Sequence, residues 1–343
     1  MNLFRFHIPP VLRLKTAGLY WKKPSSAKRK SEQSYQQLKI APFSPILKES
    51  GRRGCFMKKY LDLHIHTVHS DGCFSPTQVV SMAAEKGLKA IAIADHDSVS
   101  GVEEAKEMGL QLGVEVVPAV ELSIGFRDYH DIHLLGYYID HQDKVFTGKL
   151  SDLRKARDIR GKAIVERINN KLAAERKPGI SYDELIDSAQ ESLGRLHIAR
   201  MLVQKGNART VQDAFVRYLL PCNVPKRYFP LQEAIDEIAR IGGVSVLAHP
   251  QSISDDRRVL NSLIREMKLM GLDGVEVYNN FCYKDDMIFL QSLCQELDLV
   301  MTGGSDFHGF EDDVQIGIGR GALAVAYHLL EPLKAISLSR AGN

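Results

Sequence analysis

No run in the 343-residue chain approaches the roughly 20 uninterrupted apolar residues that a membrane-crossing helix requires, so no bilayer span or membrane partner is expected. Cysteine is scarce: Cys55, Cys73, Cys222, Cys282 and Cys294 form no C-x-x-C pair, and no secretion signal accompanies them. An odd, dispersed set argues against a disulfide framework and fits a reducing cytoplasm. Acidic residues are nearly missing from residues 1–56, where Glu32 and Glu49 face 12 Lys and Arg. That segment also holds five prolines and the run Lys28-Arg29-Lys30. It has too little apolar periodicity to bury a core, and is expected to be a disordered basic extension. It lacks the apolar core and small-residue cleavage site of a secretory signal. A transit peptide, a nucleic-acid arm, or residues ahead of a start at Met57 all fit it.

Beyond residue 56 the balance reverses, with 33 basic and 40 acidic residues. An overall 44% hydrophobic and 25% charged composition is that of a globular protein. Seven strands are expected, over 59–64, 90–94, 114–120, 132–138, 244–248, 274–278 and 299–302. Amphipathic helices over 76–87, 102–112, 255–270 and 284–297 separate most of them, which implies parallel pairing and an α/β fold of the (β/α) barrel type. The connection from the fourth strand to the fifth exceeds a hundred residues and reads as helical throughout. The expected organisation is therefore a barrel over 57–143 and 242–343, with a helical insert over 144–241. Loops after strand C-termini build the active face of such barrels, so the insert is expected to cover that face.

The residue types that bind metals fall at the ends of these strands. The first ends in His64-Ile65-His66, whose alternation puts both imidazoles on one face, and Asp71 follows in Ser70-Asp71-Gly72. His96 stands in Asp95-His96-Asp97, Glu121 closes the third strand, His133 lies in the fourth, His249 in Ala248-His249-Pro250, and Asp306 and His308 in Ser305-Asp306-Phe307-His308. Asp95 and Asp97 are read as orienting His96 or meeting solvent. His130 is the rival to His133, which its in-strand position and the following Leu134-Leu135-Gly136 favour. Imidazole mixed with carboxylate, without thiolate, suits two or three Mn, Zn or Fe ions. Clustered cations activate water near neutral pH and neutralise phosphoryl oxygens, so phosphoester hydrolysis is the expected chemistry.

In this order the motifs resemble the polymerase and histidinol phosphatase (PHP) domain, over residues 57 to about 320. The insert and the segment Gly194-Arg195-Leu196-His197-Ile198-Ala199-Arg200 are similar to the TrpH-type branch of 3',5'-nucleoside bisphosphate phosphatases and RNase AM-like 5'-to-3' exoribonucleases. The resemblance implies a distorted seven-stranded barrel, (β/α)7, with a trinuclear site usually assigned manganese. It implies one ion on His64, His66, Glu121 and Asp306, a second on Glu121, His133 and His249, and a third on Asp71, His96 and His308. Where some relatives continue the Ala-His-Pro motif with Gly and Arg, this chain has Gln251-Ser252.

Residues 151–230 carry 16 Lys and Arg against nine acids, a basic cover suited to polyanions. Arg154, Arg157 and Arg160 recur along one helix face, and their guanidinium forks suit phosphate. Arg195, His197, Arg200 and Lys226 are further candidates, and the resemblance places basic residues matching Arg157, Arg160 and Arg195 at a second substrate phosphate. The expected enzyme is a cytoplasmic phosphoric ester hydrolase with no obligatory protein partner. It would act on nucleoside 3',5'-bisphosphates or short 5'-phosphorylated RNA by attack of a metal-bridging hydroxide. Asp71, His96 and His197 are the expected catalytic residues, and His197 or a metal-bound water would protonate the leaving oxygen. A histidinol-phosphate phosphatase and a non-catalytic nucleic-acid-binding module are the alternatives.

Overall fold

A computed structural model describes residues 60–189, 193–310, 313–320 and 323–342, without the side chains of 130, 131 and 187–189. The basic extension over 1–56 and the side chain of His130 lie outside the described residues. The strands are β1 (Tyr60–Ile65), β2 (Ala90–Ile93), β3 (Glu115–Phe126), β4 (Tyr129–Tyr137), β5 (Phe229–Pro230), β6 (Val244–Leu247), β7 (Gly274–Tyr278), β8 (Val300–Gly303) and β9 (Val325–Ala326). The helices are α1 (Pro76–Glu85), α2 (Val102–Leu112), α3 (Lys144–Ala174), α4 (Tyr182–Ala189), α5 (Arg195–Gln204), α6 (Val211–Ala214, continued by a π-turn), α7 (Leu231–Arg240), α8 (Arg257–Leu269), α9 (Lys284–Leu297) and α10 (Leu330–Ala341). Their starts follow local chemistry: Ser75 and Gln78 form a reciprocal capping box ahead of Pro76 at the head of α1.

The strands join in the order β8-β7-β6-β4-β3-β2-β1-β9, with β5 alongside β3. At the rim, Ile65 bridges Phe307 beyond β8, and the His66 N–H donates to the Phe307 carbonyl at 2.9 Å. The sheet thus nearly closes into a barrel. Gly304 makes this closure possible, because a Cβ there would lie 2.4 Å from both the backbone N and the Cβ of His64. Gly304→Ala is expected to cost at least about 1–3 kcal/mol of stability through forced overpacking, read by chemical denaturation.

Two features correct the expected all-parallel, seven-stranded barrel. Nine strands are present among the described residues, and β4 runs antiparallel to both β3 and β6. The cause is local: β3 runs on to Phe126, leaving only Arg127 and Asp128 before β4. So short a connection can join only antiparallel neighbours. Arg127 takes the positive φ of 51° that the reversal needs.

The second consequence concerns the insert. Because β4 is reversed, the chain runs from His133, at its middle and facing the rim, to Tyr137 at the opposite end of the sheet. The insert therefore begins at the end of the sheet opposite the rim. The 31-residue helix α3 carries the chain back, since it spans roughly 46 Å at 1.5 Å per residue. Its first turns bury Phe146, Leu150 and Leu153 in the core that β3, β4, α7 and α8 share. Further along, Ile164, Val165, Ile168 and Leu172 belong to a separate core with residues of α4 to α6, ending at Cys222. Between these two cores stand Arg154 and Arg157.

Candidate metal centre

Seven strands send a ligating or supporting side chain to one rim. Six of these strands run in the same direction: β1, β2, β6 and β8 contribute from or just beyond their C-terminal ends, β3 and β7 from their middles, and the reversed β4 contributes from its middle residue, His133. Glu121 stands at the centre, its Oε1 3.0 Å from His133 Nδ1, 3.1 Å from His249 Nε2 and 3.3 Å from His64 Nε2. Its Oε2 lies 3.0 Å from His96 Nδ1 and 3.2 Å from His66 Nε2. Asp306 Oδ1 approaches His66 Nε2 at 3.1 Å, and Asp71 Oδ1 approaches His308 Nε2 at 3.3 Å. All nine side chains singled out in the sequence therefore converge. They form four sets whose donor atoms lie within 4.8 Å of one another: His66, Asp71, His96 and His308; His64, Glu121 and His249; His64, His66 and Asp306; and His96, Glu121 and His133.

The electrostatics are those of a cation site. Burial works against charge on His64, yet Glu121, Glu276 and Asp306 hold its pKa well above the ordinary imidazole range. Burial likewise opposes charge on His66, but Asp306, Glu121 and Asp71 carry it up to about 10. His249 and His308 are also raised against burial, by Glu121 and Asp71 respectively. Burial pushes His96 down to about 4 despite Glu121 and Asp71. Burial disfavours the charges of Glu121, Asp71 and Asp306 too, but the surrounding imidazoles outweigh it and hold all three well below the carboxylate range. Four of the converging atoms, His64 Nε2, Asp71 Oδ1, His96 Nδ1 and Glu121 Oε2, are buried without a hydrogen bond. Buried polar atoms are rarely left so, and a shared divalent ion satisfies such lone pairs.

The supporting residues were the part that sequence reasoning missed. Glu276 of β7 accepts from His64 Nδ1 at 2.9 Å and from the His249 N–H at 2.7 Å. Its signal was a lone carboxylate inside the apolar run Gly274-Val275-Glu276-Val277-Tyr278. Asp95 does not orient His96. It is fully buried and accepts from the Thr67 N–H at 2.7 Å, Thr67 Oγ1 at 2.6 Å and Ser70 Oγ at 2.5 Å, fixing the loop that leads to Asp71. Asp97 is also withdrawn from solvent: it accepts the Ser123 N–H at 3.0 Å and pairs with Arg157. Ser252, in the Gln251-Ser252 departure, bonds His249 Nδ1 at 2.8 Å, whereas both amide atoms of the buried Gln251 have no hydrogen bond. Asp97, His249 and Asp306 all hold positive φ angles, of 51°, 26° and 51°, a concentration of strained backbone typical of functional rims.

The basic candidates divide. Arg157 is bonded to Asp97, next to His96, and Arg154 Nη1 donates to the Asp97 carbonyl at 3.3 Å. Lys226 donates to Ser123 Oγ at 2.8 Å. Arg200 stacks on Phe310 at 4.1 Å, and that ring lies 5.3 Å from His308. Arg160 turns to Val224 and Asn223, donating to the Val224 carbonyl at 2.7 Å. Arg195 opens α5, whose preceding residue Gly194 presents a would-be Cβ position 3.9 Å from Asp71 Oδ2. The start of α5 thus adjoins the carboxylate cluster. His197 Nδ1 accepts the Gly194 N–H at 3.1 Å, and burial lowers its pKa against the pull of Asp71. It is therefore neutral near pH 7, with its proton on Nε2. A cleft of about 380 Å³ is lined by His197, Arg200, Met201, Gln204, Lys205 and Glu184.

Residues 62–221 match the family model of the PHP domain. A 5'-3' exoribonuclease of Haemophilus influenzae is 32% identical over 257 residues, 74% of this chain and 91% of that protein. The chain belongs to the PHP domain family. A 3',5'-nucleoside bisphosphate phosphatase of Chromobacterium violaceum is 30% identical over 72% of this chain and 87% of its own length. Among solved structures, one assigned as a metal-dependent phosphoesterase from Bifidobacterium adolescentis superposes with a TM-score of 0.72 at 29% identity, covering 83% of this chain and 99% of that one. An amidohydrolase from C. violaceum with bound sulfate gives 0.66 at 28% identity over 73% of this chain and 87% of that one. This PHP chain thus carries the full set of motif residues at one rim, with the insert's first basic residues beside them.

Proposed function

We propose that this PHP protein is a metal-dependent phosphoesterase acting on nucleoside 3',5'-bisphosphates or on the 5' end of short phosphorylated RNA. The observation that carries the reading is the convergence of nine imidazole and carboxylate side chains on Glu121. His64, His66, Asp71, His96, Glu121, His133, His249, Asp306 and His308 would hold two or three divalent cations, manganese before zinc or iron. When bound, these cations supply Lewis acidity to phosphoryl oxygens and make water a competent nucleophile near neutral pH.

The chain's own residues supply the rest. Arg157, Lys226 and Arg200 border the cluster and offer charge to a neighbouring phosphate. His197, neutral and protonated on Nε2, donates a hydrogen bond to substrate oxygen. The two named relatives, an exoribonuclease and a bisphosphate phosphatase, both act on phosphate esters of nucleotides, which supports this substrate class. The four described cysteines are free thiols, in keeping with a cytoplasmic setting, and no described helix is long and apolar enough to cross a membrane.

Phosphate release with manganese from adenosine 3',5'-bisphosphate, a 5'-phosphorylated oligoribonucleotide and histidinol phosphate tests the reading. Turnover of the first two is expected. Preference for histidinol phosphate overturns the substrate choice, and salt-sensitive RNA binding without turnover overturns the enzyme. Arg157→Ala is expected to slow bisphosphate turnover about 10-fold or more while changing aryl phosphate turnover less than about 3-fold. Arg160→Ala should have the smaller effect, because Arg160 is bonded to Val224 and Asn223 whereas Arg157 is bonded to Asp97, next to His96.

A further inference from the structure

Glu276 is buried, with no measurable exposure, in the middle of β7, where Val275 and Val277 flank it. An isolated carboxylate in such a place is costly unless hydrogen bonds hold it. Those bonds run to two histidines from different strands: the ring of His64 on β1, through Nδ1 at 2.9 Å, and the backbone N–H of His249 after β6, at 2.7 Å. Each of its oxygens takes one of them. The two imidazoles stack with centroids 5.7 Å apart and planes 17° apart, and both turn Nε2 to the same Glu121 oxygen, at 3.3 and 3.1 Å. His249 needs such a tether because its φ of 26° is one an L-residue rarely adopts, and it also precedes Pro250.

We propose that Glu276 is a positioning residue of the metal centre, fixing the Nδ1–H tautomer of His64 and the backbone of His249 so that both present Nε2 lone pairs to the centre beside Glu121 Oε1. This rests on the reading of the cluster as a metal centre. A carboxylate partner on the far nitrogen of a ligating histidine sets ring orientation and raises ligand basicity, and its loss typically weakens metal binding 10- to 100-fold. Here one carboxylate serves two ligands at once. A neutral amide cannot replace it. If its oxygen accepts from His64, its NH2 group faces the His249 N–H, donor against donor, and flipping the amide moves the conflict to His64.

The test is manganese affinity and stoichiometry of the full chain, with folding followed by circular dichroism. Glu276→Gln is expected to keep its secondary structure and bind manganese about 10- to 100-fold more weakly, with kcat falling more than KM rises. Glu276→Asp, which keeps the charge but falls one methylene short, should recover part of the affinity. In the zinc-loaded wild type, nitrogen-15 NMR should show His64 protonated on Nδ1 and ligated through Nε2, a readout that needs no variant to fold. Wild-type manganese affinity in Glu276→Gln, or His64 ligated through Nδ1, would overturn the assignment while leaving the metal centre intact. A wild type that binds no divalent cation would overturn both.

Discussion

Glu121→Gln should lower phosphate release by on the order of 10³-fold, about 4 kcal/mol of transition-state stabilisation, and leave the protein short of metal. No other side chain in the cluster touches so many partners: its two oxygens lie within 3.3 Å of five imidazoles. The amide has nearly the same shape but only one acceptor oxygen and no charge. It would leave two or three nitrogens facing an NH2 group in a fully buried pocket. The positive charge gathered on the raised histidines would then lack its central counter-charge, so metal-free Glu121→Gln should also melt below the wild type. Metal content by plasma mass spectrometry and initial rates on adenosine 3',5'-bisphosphate check both parts. A variant with wild-type rate would show that Glu121 does not bridge the centre.

The second large effect is linked to protons. Against burial, Asp306 and Glu121 carry the His66 pKa up to about 10, and Glu121, Glu276 and Asp306 raise that of His64 well above the ordinary imidazole range, so the metal-free cluster carries protons where cations belong. Loading manganese near pH 7.5 should therefore release protons, that of His66 among them, read as the dependence of calorimetric binding enthalpy on buffer ionisation enthalpy. The stability of the metal-free protein follows the same groups. A histidine raised in the folded state contributes fully below its unfolded value near 6.5 and loses that contribution as pH rises through its folded value. For His66 the loss extends toward about 10. His96 has the opposite sign: held down at about 4, it costs stability as pH falls below about 6.5 and the unfolded chain takes up a proton. The metal-free melting temperature should thus fall from about pH 7 to pH 9.5, while that of the loaded protein holds steady, since metal binding strengthens as the ligands deprotonate. Parallel pH profiles would contradict this picture.

The ligand residues were legible because strand-end motifs declare themselves. His64 and His66 share a face by simple alternation, and Asp306 and His308 follow an apolar run that could only be a strand. Glu276 was not legible, because it acts as an acceptor for groups 212 and 27 residues away, and nothing in Gly274–Tyr278 marks those partners. The reversal of β4 was hidden for a related reason. The second half of β3, Leu122–Phe126, looks like a loop until Phe229 and Ile132 are seen to pair with Ile124. Once the reversal is known, the length of α3 has a cause: it must return the chain to the rim. Arg154, Arg157 and Arg160 share a helix face as their spacing predicts, but only tertiary structure separates the pair that meets Asp97 from Arg160, which serves the segment at Val224.

Anomalous diffraction from crystals grown with manganese, collected either side of its absorption edge, addresses the central claim most directly. Two or three peaks should appear within bonding distance of His64, His66, Asp71, His96, Glu121, His133, His249, Asp306 and His308, with Glu121 shared between two of them. Peaks elsewhere on the chain, or none at this rim, would contradict the account.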